Sequence, residues 1–372
     1  MSDNGLNMSR RIRRTPFTSK VEQHGVRGFS VVNHMLLPKA FNKTVEEDYW
    51  HLREHVQIWD VSVQRQVQIS GKDSKKLIQL ITPRNISTCE IGKCMYLPIT
   101  DQYAGMINDP VLLMLDENKF WLSIADSDVL LYCKGLAIGK NLDVRIYEPD
   151  VSPLAIQGPK SFELMAEVFG DKILNLKFYQ FSSFDFLGTK QIVARSGYSK
   201  QGGFEIYLSN SELGNELWDA IWDKGQKYNL SPGCPNLIER IEGGLLSYGN
   251  EFTIDDNPLE CGLENYCSLN EKTGYIAFDI LREIQQNGIK KKICGIKFDG
   301  PPTDSCTIPY PVLSETGRRI GQITSGIYSP RFKLNIGLSM IENNYWSIGN
   351  TVLVETNDTI QRKGKIVSLP MI

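Results

Sequence analysis

Residues 195–208, RSGYSKQGGFEIYL, predict a β-strand, a glycine loop and a second β-strand. The spacing Gly197-x4-Gly202 is the first half of a phosphate-binding loop, but the Lys-Ser/Thr pair that completes such a loop is missing. Phe204 and Glu205 come after the glycines instead, and an acid is a poor neighbour for a phosphate. The stretch therefore predicts a tight turn that serves something other than an anion.

The composition is that of a globular protein of 372 residues, for which two or three domains are expected. A formal net charge of −2 gives the chain no general attraction to nucleic acid or to anionic membranes. No apolar run reaches the roughly eighteen residues of a membrane span, and none follows the basic segment SRRIRR at residues 9–14 as in a secretory signal. The eight cysteines form no C-x-x-C pair, which favours reduced thiols in the cytoplasm.

Hydrophobic periodicity predicts an α+β region followed by an all-β region. Helices are predicted at 44–58, 72–82, 126–140, 159–169, 211–225 and 237–247. A polar helix at 282–292 then leads into short strands separated by Gly, Pro and Asn. The predicted organisation is a region of two α+β subdomains at 1–289 and an all-β domain at 290–372.

The common catalytic patterns are absent or incomplete in this chain. The segment HLREH, from His51 to His55, matches the H-x-x-E-H pattern of zinc proteases, in which two histidines share a helix face. Its flanks resemble a charged surface helix and no histidine follows it, so no metal site is predicted. The motifs G-x-S-x-G and G-x-G-x-x-G do not occur, which argues against a serine hydrolase and against a Rossmann dinucleotide site.

Four polar residues in predicted strands or turns remain as candidates, namely Tyr96, Asp109, Tyr198 and Glu205. Asp109 follows a glycine-containing turn in AGMINDP and precedes an apolar strand, where a carboxylate either caps the turn or serves a site. The other three residues are equally compatible with surface or packing roles. Local sequence alone therefore indicates a cytoplasmic multidomain α+β enzyme without indicating its reaction.

Six segments, in order along most of the chain, resemble motifs of the glycine-cleavage T-protein family of folate-dependent one-carbon transferases. They are WDVSVQRQVQISG (F-D-V-S-H-M-x6-G in the family), GKCMYLPITDQYAGMINDP (G-x3-Y…G-G-x-x-D-D), LAIQGP (L-x-Q-G-P), RSGYSKQGGFE (R-T-G-Y-T-G-E-x-G-F-E), RIEGGLLSYGNEFTIDDNPLECGL (R-x-E-x-G…Y-G-N-E…P-x-E-x-G-L) and IGQITSGIYSPRFKLNIGLSMI (G-x-x-T-S-G-x-x-S-P-x5-I-A-L). Six ordered matches are more specific than any single motif.

This resemblance implies an α+β fold of two parts, with a C-terminal β-barrel-like domain around a central folate channel. At the matching positions it implies a set of folate-site residues, namely Tyr96, Asp109, Tyr198, Glu205 and, on the strand that lines the folate, Ser123. Glu205 would accept hydrogen bonds from the amino and ring N–H groups of the pterin. Asp109 would lie near the reactive N5 and N10 edge of the folate.

Several positions depart from the family motifs. Val63 stands where the family has a histidine, and Asn108 replaces the first acid of the D-D pair, with Pro110 after the second. Asn236 replaces an arginine, and VNHM at residues 32–35 replaces F-A-G-W. The resemblance thus implies that the folate half of the site is kept while the residues around the second substrate have changed.

As a whole, the chain is most similar to a branch of the family that acts alone on a small sulfonium substrate and passes one methyl group to tetrahydrofolate. The thioether that leaves a sulfonium is neutral and needs no proton, so holding both reactants in line is the main requirement. The cationic sulfur suits aromatic faces. Trp59, Phe178 and Tyr179 are candidates for the sulfonium wall or for the pterin pocket, and core packing is an equal alternative for each. The segment of Val32, Asn33 and His34 is the candidate for the substrate carboxylate.

Two other readings of the resemblance stay open. A member of this family could instead transfer an aminomethyl group or demethylate an N-methyl amino acid. The substitutions at Val63 and Asn236 also fit a folate-binding regulator that has lost catalysis. A nucleic acid, a membrane or an obligatory protein partner is expected in none of these readings.

Overall fold

The computed structural model describes residues 9–270, 273–358 and 360–371. The chain divides into two compact units, the first made of Met1–Lys75, Cys89–Met95 and Pro110–Pro235, and the second of Lys76–Thr88, Tyr96–Asp109 and Asn236–Ile372. The helices are α1 (Thr18–Gln23), α2 (Val45–Glu54), α3 (Ser74–Ile81), α4 (Val129–Gly139), α5 (Ser161–Phe169), α6 (Gly214–Gly225), α7 (Leu237–Glu242) and α8 (Phe278–Asn287).

Strands alternate with these helices and fill most of the last eighty residues. They are β1 (Gly28–Val32), β2 (Met35–Ala40), β3 (Val56–Asp60), β4 (Gln66–Ser70), β5 (Cys94–Tyr96), β6 (Ile99–Thr100), β7 (Met106–Asn108), β8 (Val111–Asp116), β9 (Lys119–Ser123), β10 (Arg145–Tyr147), β11 (Val151–Gln157), β12 (Phe181–Phe186), β13 (Thr189–Ala194), β14 (Gly203–Ser209), β15 (Leu230–Pro232), β16 (Lys291–Phe298), β17 (Tyr310–Leu313), β18 (Arg319–Ser329), β19 (Leu334–Glu342), β20 (Thr351–Glu355) and β21 (Gln361–Val367).

A six-stranded sheet in the order β12-β13-β14-β11-β3-β15 forms the centre of the first unit. All of its pairs are antiparallel except β15 with β3. Every residue of β11 is buried, which fits its nearly continuous apolar sequence and central position. Ile156 and Ile206 of the sheet pack with Leu164 of α5 and with Trp218 and Ile221 of α6 in one apolar cluster. This packed sheet is the rigid support for the loop at 195–202.

A second sheet has the order β10-β4-β9-β8-β5, in which β10 with β4, β4 with β9, and the hairpin of β8 and β9 are antiparallel pairs. In the second unit, the strands β16-β19-β18-β17-β20-β21 close into a barrel. Its interior is filled by branched and aromatic side chains such as Ile296, Phe298, Ile323 and Val354. The predicted α+β fold with a C-terminal barrel-like domain is confirmed. The domain boundary at residue 290 stays a prediction, because the compact units interleave along the chain.

Three predicted helices end earlier than expected. The helix predicted at 44–58 begins with a capping box between Thr44 and Glu47 and ends at Glu54, because Val56–Asp60 is recruited as the fully buried strand β3. The helix predicted at 237–247 ends at Glu242. The helix predicted at 282–292 ends at Asn287, where Gly288 adopts a φ of 79° and the barrel begins three residues later. In the first and third cases, strand pairing overrides the local helical pattern.

Every helix in the described ranges is too short or too polar to cross a lipid bilayer.

Candidate active site

Asp109 and Tyr96 form a hydrogen-bonded pair in the second unit. Tyr96 ends β5, Asp109 follows β7, and the Tyr96 hydroxyl donates to Asp109 Oδ2 at 3.0 Å. The Tyr96 ring meets the ring of Tyr266 edge to face, with centroids 5.1 Å apart. Arg84 donates from Nη1 to the Tyr96 carbonyl at 2.6 Å. The tyrosine that holds the carboxylate is therefore itself held through both its ring and its backbone.

Burial and a neighbouring acid weaken the acidity of Asp109. Burial raises the pKa of this carboxyl to about 7, with a smaller contribution in the same direction from Glu251, while the Tyr96 hydrogen bond acts the other way. At neutral pH both the carboxyl and the carboxylate are consequently populated. Such a group can hold or release a proton, or change the charge of its surroundings, within the physiological range.

The neighbouring acid, Glu251, belongs to a buried network that explains several of the family-like motifs. Arg240 donates from Nη1 to Glu251 Oε2 at 2.6 Å and from Nη2 to Oε1 at 3.3 Å. The Ser325 hydroxyl accepts from Arg240 and donates to Glu251, and the Ser247 amide donates to Oε2 at 2.8 Å. These motif residues therefore join α7 to the barrel strand β18. The sequence motifs gave no indication of this role.

Glu205 occupies a buried position on β14 in the first unit. Its cross-strand neighbours are Ala155 on β11 and Ala194 on β13, and it is 6% exposed. The Ser196 hydroxyl donates to Glu205 Oε2. Burial raises the pKa of Glu205, and the Ser196 hydrogen bond opposes that rise. A buried carboxylate of this kind is suited to receive N–H donors from a ligand.

The glycine loop that precedes Glu205 is shaped by Gln157 of β11. A Cβ atom at Gly197 would lie 2.0 Å from Gln157 Oε1, and a Cβ at Gly203 would lie 2.3 Å from the Ile156 carbonyl and 2.6 Å from Gln157 Nε2. Gly197 and Gly203 also have φ values of 154° and 148°. The glycines thus admit a glutamine side chain into the turn, which agrees with the prediction of a tight turn between two strands.

The aromatic candidates of the first unit lie near this loop. Tyr198 is a half-buried member of the loop. The Tyr179 amide donates to the Arg195 carbonyl at 2.9 Å, which ties residue 179 to the loop's first residue. The rings of Phe178 and Tyr179 are 4.6 Å apart, with Phe178 68% exposed. The structure therefore brings Tyr179, Tyr198 and Glu205 to one region of the unit.

Ser123 ends β9 and is buried. The Gln66 side-chain amide donates to its hydroxyl at 2.9 Å. Tyr207, two residues after Glu205 and on the same face of β14, has its pKa raised well above the ordinary value by burial and by Glu205, while Ser123 opposes that rise. Ser123 and Glu205 thus share Tyr207 as a neighbour. The alternation of β14 could have identified Tyr207 from the sequence.

Comparison with known proteins identifies the family. The GCVT N-terminal domain model matches residues 17–271, and the glycine cleavage T-protein C-terminal barrel domain model matches residues 291–372. The chain belongs to the glycine cleavage T-protein family. The predicted membership is confirmed.

Individual relatives agree with this result. A dimethylsulfoniopropionate demethylase, DmdA, of Ruegeria pomeroyi is 46% identical over 352 residues, which cover 94% of this chain and 95% of the relative. An aminomethyltransferase of Bacillus pumilus is 30% identical over 96% of this chain and 98% of the relative. The crystal structure of the glycine cleavage system aminomethyltransferase T of Bartonella henselae matches with a TM-score of 0.87 at 22% identity, covering 97% of this chain and 98% of that one. The structural match supports the fold alone.

The turn that replaces the T-protein family's F-A-G-W segment is a two-residue hairpin between β1 and β2. Asn33 and His34 have φ values of 50° and 60°, and Val32 pairs with Met35 across the turn. The Asn33 side-chain amide donates to the carbonyls of Val63 and Ala125 at 2.9 Å each, and its backbone amide donates to Asp126 at 2.8 Å. A substrate carboxylate would bind Asn33 only by displacing these hydrogen bonds. His34, by contrast, is exposed.

Two further family departures have local structural reasons. Asn236 is the N-cap of α7, where its side chain accepts hydrogen bonds from the amides of Ile238 and Glu239 at 3.0 and 3.4 Å. Val63, at the family's histidine position, is 4% exposed.

Trp59 is a core residue in this structure. It is 1% exposed, it packs with Leu52, Val61 and Ala155, and its indole N–H donates to Gln57 Oε1 at 2.7 Å. Packing alone accounts for this ring, so its role as a sulfonium wall stays a prediction.

The histidines of the H-x-x-E-H segment have separate environments. His51 lies on α2 with Nε2 at 2.9 Å from the Asn229 carbonyl, and burial lowers its pKa to about 4. His55 lies beyond the end of the helix, with Nδ1 at 2.9 Å from Lys160 Nζ. Among the residues that the structure describes, no group of three or more His, Cys, Asp or Glu side chains is placed to hold a metal ion.

Proposed function

We propose that this T-protein family member transfers one methyl group from the sulfonium of dimethylsulfoniopropionate to N5 of tetrahydrofolate. The products are 3-methylthiopropanoate and 5-methyltetrahydrofolate. The observation that carries the proposal is the 46% identity, over nearly the whole length of both chains, to the demethylase of Ruegeria pomeroyi. Seven aminomethyltransferases that match the chain are 28–30% identical to it.

The reaction needs position more than acid–base catalysis. The N5 lone pair forms the new bond to the methyl carbon, and the electrons of the breaking C–S bond stay on sulfur as a neutral thioether. Holding the reactants in line contributes up to about 7–11 kcal/mol of barrier reduction. The protein must then stabilise the positive charge that develops on nitrogen.

Asp109 is suited to that electrostatic task. In its carboxylate form it stabilises positive charge nearby, and with a pKa of about 7 it can take up the proton that the methylated nitrogen releases. Tyr96 holds one oxygen of this carboxylate at 3.0 Å and so fixes its direction. In the proposal Asp109 orients the folate and offsets charge, and it is not an obligatory base.

Glu205 provides the chemistry expected of a pterin site. Pterins carry adjacent amino and ring N–H donors, which match the two oxygens of a carboxylate. Glu205 is buried, and the hydrogen bond that lowers its pKa comes from the neutral hydroxyl of Ser196, so its charge is available to N–H donors of a ligand in this proposal. We assign Tyr96, Ser123, Phe178, Tyr179 and Tyr198 to the same folate as further binding residues in this proposal.

The requirements for binding the sulfonium substrate follow from its two charges rather than from particular predicted residues. The donor is a zwitterion, so it requires an aromatic or anionic surface for sulfur and a donor for its carboxylate. Val32, Asn33, His34 and Trp59 remain the proposed residues, with His34 the exposed side chain among them. All eight cysteines are free thiols, which fits the cytoplasmic location that we propose.

A donor competition distinguishes this function from its rivals. Pure protein is incubated with tetrahydrofolate and equal concentrations of dimethylsulfoniopropionate and an N-methyl amino acid, without any protein partner, and both folate and thioether products are measured by mass spectrometry. We expect 5-methyltetrahydrofolate and 3-methylthiopropanoate in equal amounts. Consumption of the N-methyl amino acid alone would assign the rival enzyme activity. Folate binding without turnover of either donor would assign the regulatory reading.

A further inference from the structure

Gln157 holds both ends of the glycine loop with one side-chain amide. Its Nε2 donates to the carbonyl of Ser196 at 3.2 Å and to that of Phe204 at 3.4 Å. Its Oε1 accepts from the Ser199 hydroxyl at 2.7 Å. Gln157 is 1% exposed, so water does not replace these bonds. One buried group therefore sets the distance between the start of the loop and the first residues of β14.

Ser196 is held by Gln157 and contacts Glu205 directly. Its carbonyl is held by Gln157, while its hydroxyl donates to Glu205 Oε2. Both residues are nearly buried, at 5% and 6% exposure. A carboxylate that is bound on one oxygen by a fixed donor keeps one orientation, with Oε1 directed by the same constraint.

We propose that Ser196 and Gln157 are positioning residues for ligand recognition by Glu205. Ser196 sets the direction and the charge state of the carboxylate, and Gln157 sets the place of Ser196. This inference rests on the proposed function, in which Glu205 recognises the pterin. It assigns a role to the glutamine of the L-x-Q-G-P motif and to the serine of R-S-G-Y.

The surroundings of Glu205 leave Ser196 as the group that favours its ionised form. The facing side chains on neighbouring strands are Ala155 and Ala194, and the titratable groups on which Glu205 acts, among the described residues, include Cys94 of β5 and Tyr207 of β14. Burial raises the pKa of both Cys94 and Tyr207, so each stays neutral at physiological pH. Because Ser196 lowers the pKa of Glu205, its removal raises that pKa and favours the protonated form, which has one acceptor fewer for N–H donors.

The test is the pH dependence of folate affinity. The dissociation constant of 5-methyltetrahydrofolate is measured by calorimetry from pH 5 to pH 9 for the full-length protein and for Ser196→Ala, Ser196→Thr, Gln157→Met and Ser199→Ala. Ser199→Ala removes a buried hydroxyl from the same loop and one bond to Gln157 without touching Glu205, so its shift should be smaller than that of Gln157→Met. Ser196→Thr keeps the hydroxyl.

In Ser196→Ala we expect the midpoint of the binding profile to move to higher pH, with affinity about tenfold weaker below that midpoint and a smaller loss at pH 9. Gln157→Met should move the midpoint in the same direction, whereas Ser196→Thr should follow the wild type. A Ser196→Ala profile with the wild-type midpoint overturns the positioning role. Glu205→Gln separates the two hypotheses: wild-type affinity in that variant overturns the folate role of Glu205 itself, and the positioning role with it.

Discussion

Two candidate carboxyl groups, Asp109 in the second unit and Glu205 in the first, differ in what supports each of them. Each accepts a hydrogen bond from one hydroxyl, Tyr96 or Ser196, and burial raises the pKa of each. Asp109 has a second acid, Glu251, near it. Glu205 instead contacts Ser196, whose carbonyl accepts a hydrogen bond from the Gln157 side-chain amide. The first arrangement gives a group whose charge changes near neutral pH. The second gives a group whose direction is fixed, as recognition requires.

We expect the largest effect at Arg240, which forms an ion pair with Glu251, the acid near Asp109. Arg240→Ala leaves Glu251 buried without its ion pair, so we expect the free energy of unfolding to fall by about 3–5 kcal/mol in urea titration. The side chains of this pair are 8% and 0% exposed. Arg318→Ala is the control, because Arg318 is 59% exposed and its partner Glu342 is 44% exposed; the loss in this variant should stay below about 1 kcal/mol. Equal losses in the two variants would contradict this reading of the buried network.

Asp109→Asn should separate catalysis from stability. Without a carboxylate near the developing positive charge, we expect kcat to fall by about 10²- to 10³-fold, with little change in folate affinity. Because burial makes the folded pKa of Asp109 higher than the unfolded value, its contribution to stability decreases as pH rises from about 4 to about 7. The asparagine variant should therefore melt at a higher temperature than the wild type at pH 8. A lower melting temperature at pH 8, measured by calorimetry, would contradict the sign.

Glu205→Gln should act on binding rather than on turnover. An amide cannot accept both N–H donors of the pterin, so we expect the dissociation constant of 5-methyltetrahydrofolate to rise by about 10- to 100-fold at pH 8. At saturating folate, kcat should stay within about threefold of the wild type, because the reacting nitrogen is served by Asp109. A large loss of kcat with unchanged affinity would reverse the roles assigned to the two acids.

The pH–rate profile should show the smallest and most specific effect. In the wild type, kcat should increase as pH rises through about 7, because the carboxylate form of Asp109 is the active one. Tyr96→Phe removes the hydrogen bond that lowers the pKa of Asp109, so the midpoint should move upward, with a loss of a few-fold at pH 7 and little at pH 9. Glu205→Gln is the control and should leave this midpoint in place.

Sequence reasoning predicted the fold and the neighbourhood of both acids but not what supports them. The alternation of β14 and the glycines of residues 195–208 indicate a strand and a tight turn, because such patterns are local. The pairing of Arg240 with Glu251 and Ser325, by contrast, joins residues up to 85 positions apart. Composition and periodicity contain no information on such contacts. The motif resemblance marked these positions as part of the family pattern. The structure shows what each side chain contacts.

The substrate-side candidates show a second limit of sequence reasoning. Asn33 offers the right donors in its side chain, yet the fold engages them with the carbonyls of Val63 and Ala125. Trp59 offers a cation-binding face and lies in the same cross-strand row as Ala155 and Glu205, yet its ring is 1% exposed and packs against Leu52, Val61 and Ala155. Residue type predicts what a side chain can bind. Its burial and its existing partners decide whether it is available.

The position of the Gln157 amide in the glycine loop restricts the substitutions that the loop tolerates during evolution. A side chain at position 197 would occupy the place of the Gln157 amide, and one at position 203 would strike the same group. Position 157 precedes these glycines by 40 and 46 residues, yet any descendant that keeps the glutamine should keep both glycines. A lineage that loses the glutamine would still need glycine at both positions for their φ values of 154° and 148°, and at position 203 for the nearby Ile156 carbonyl as well.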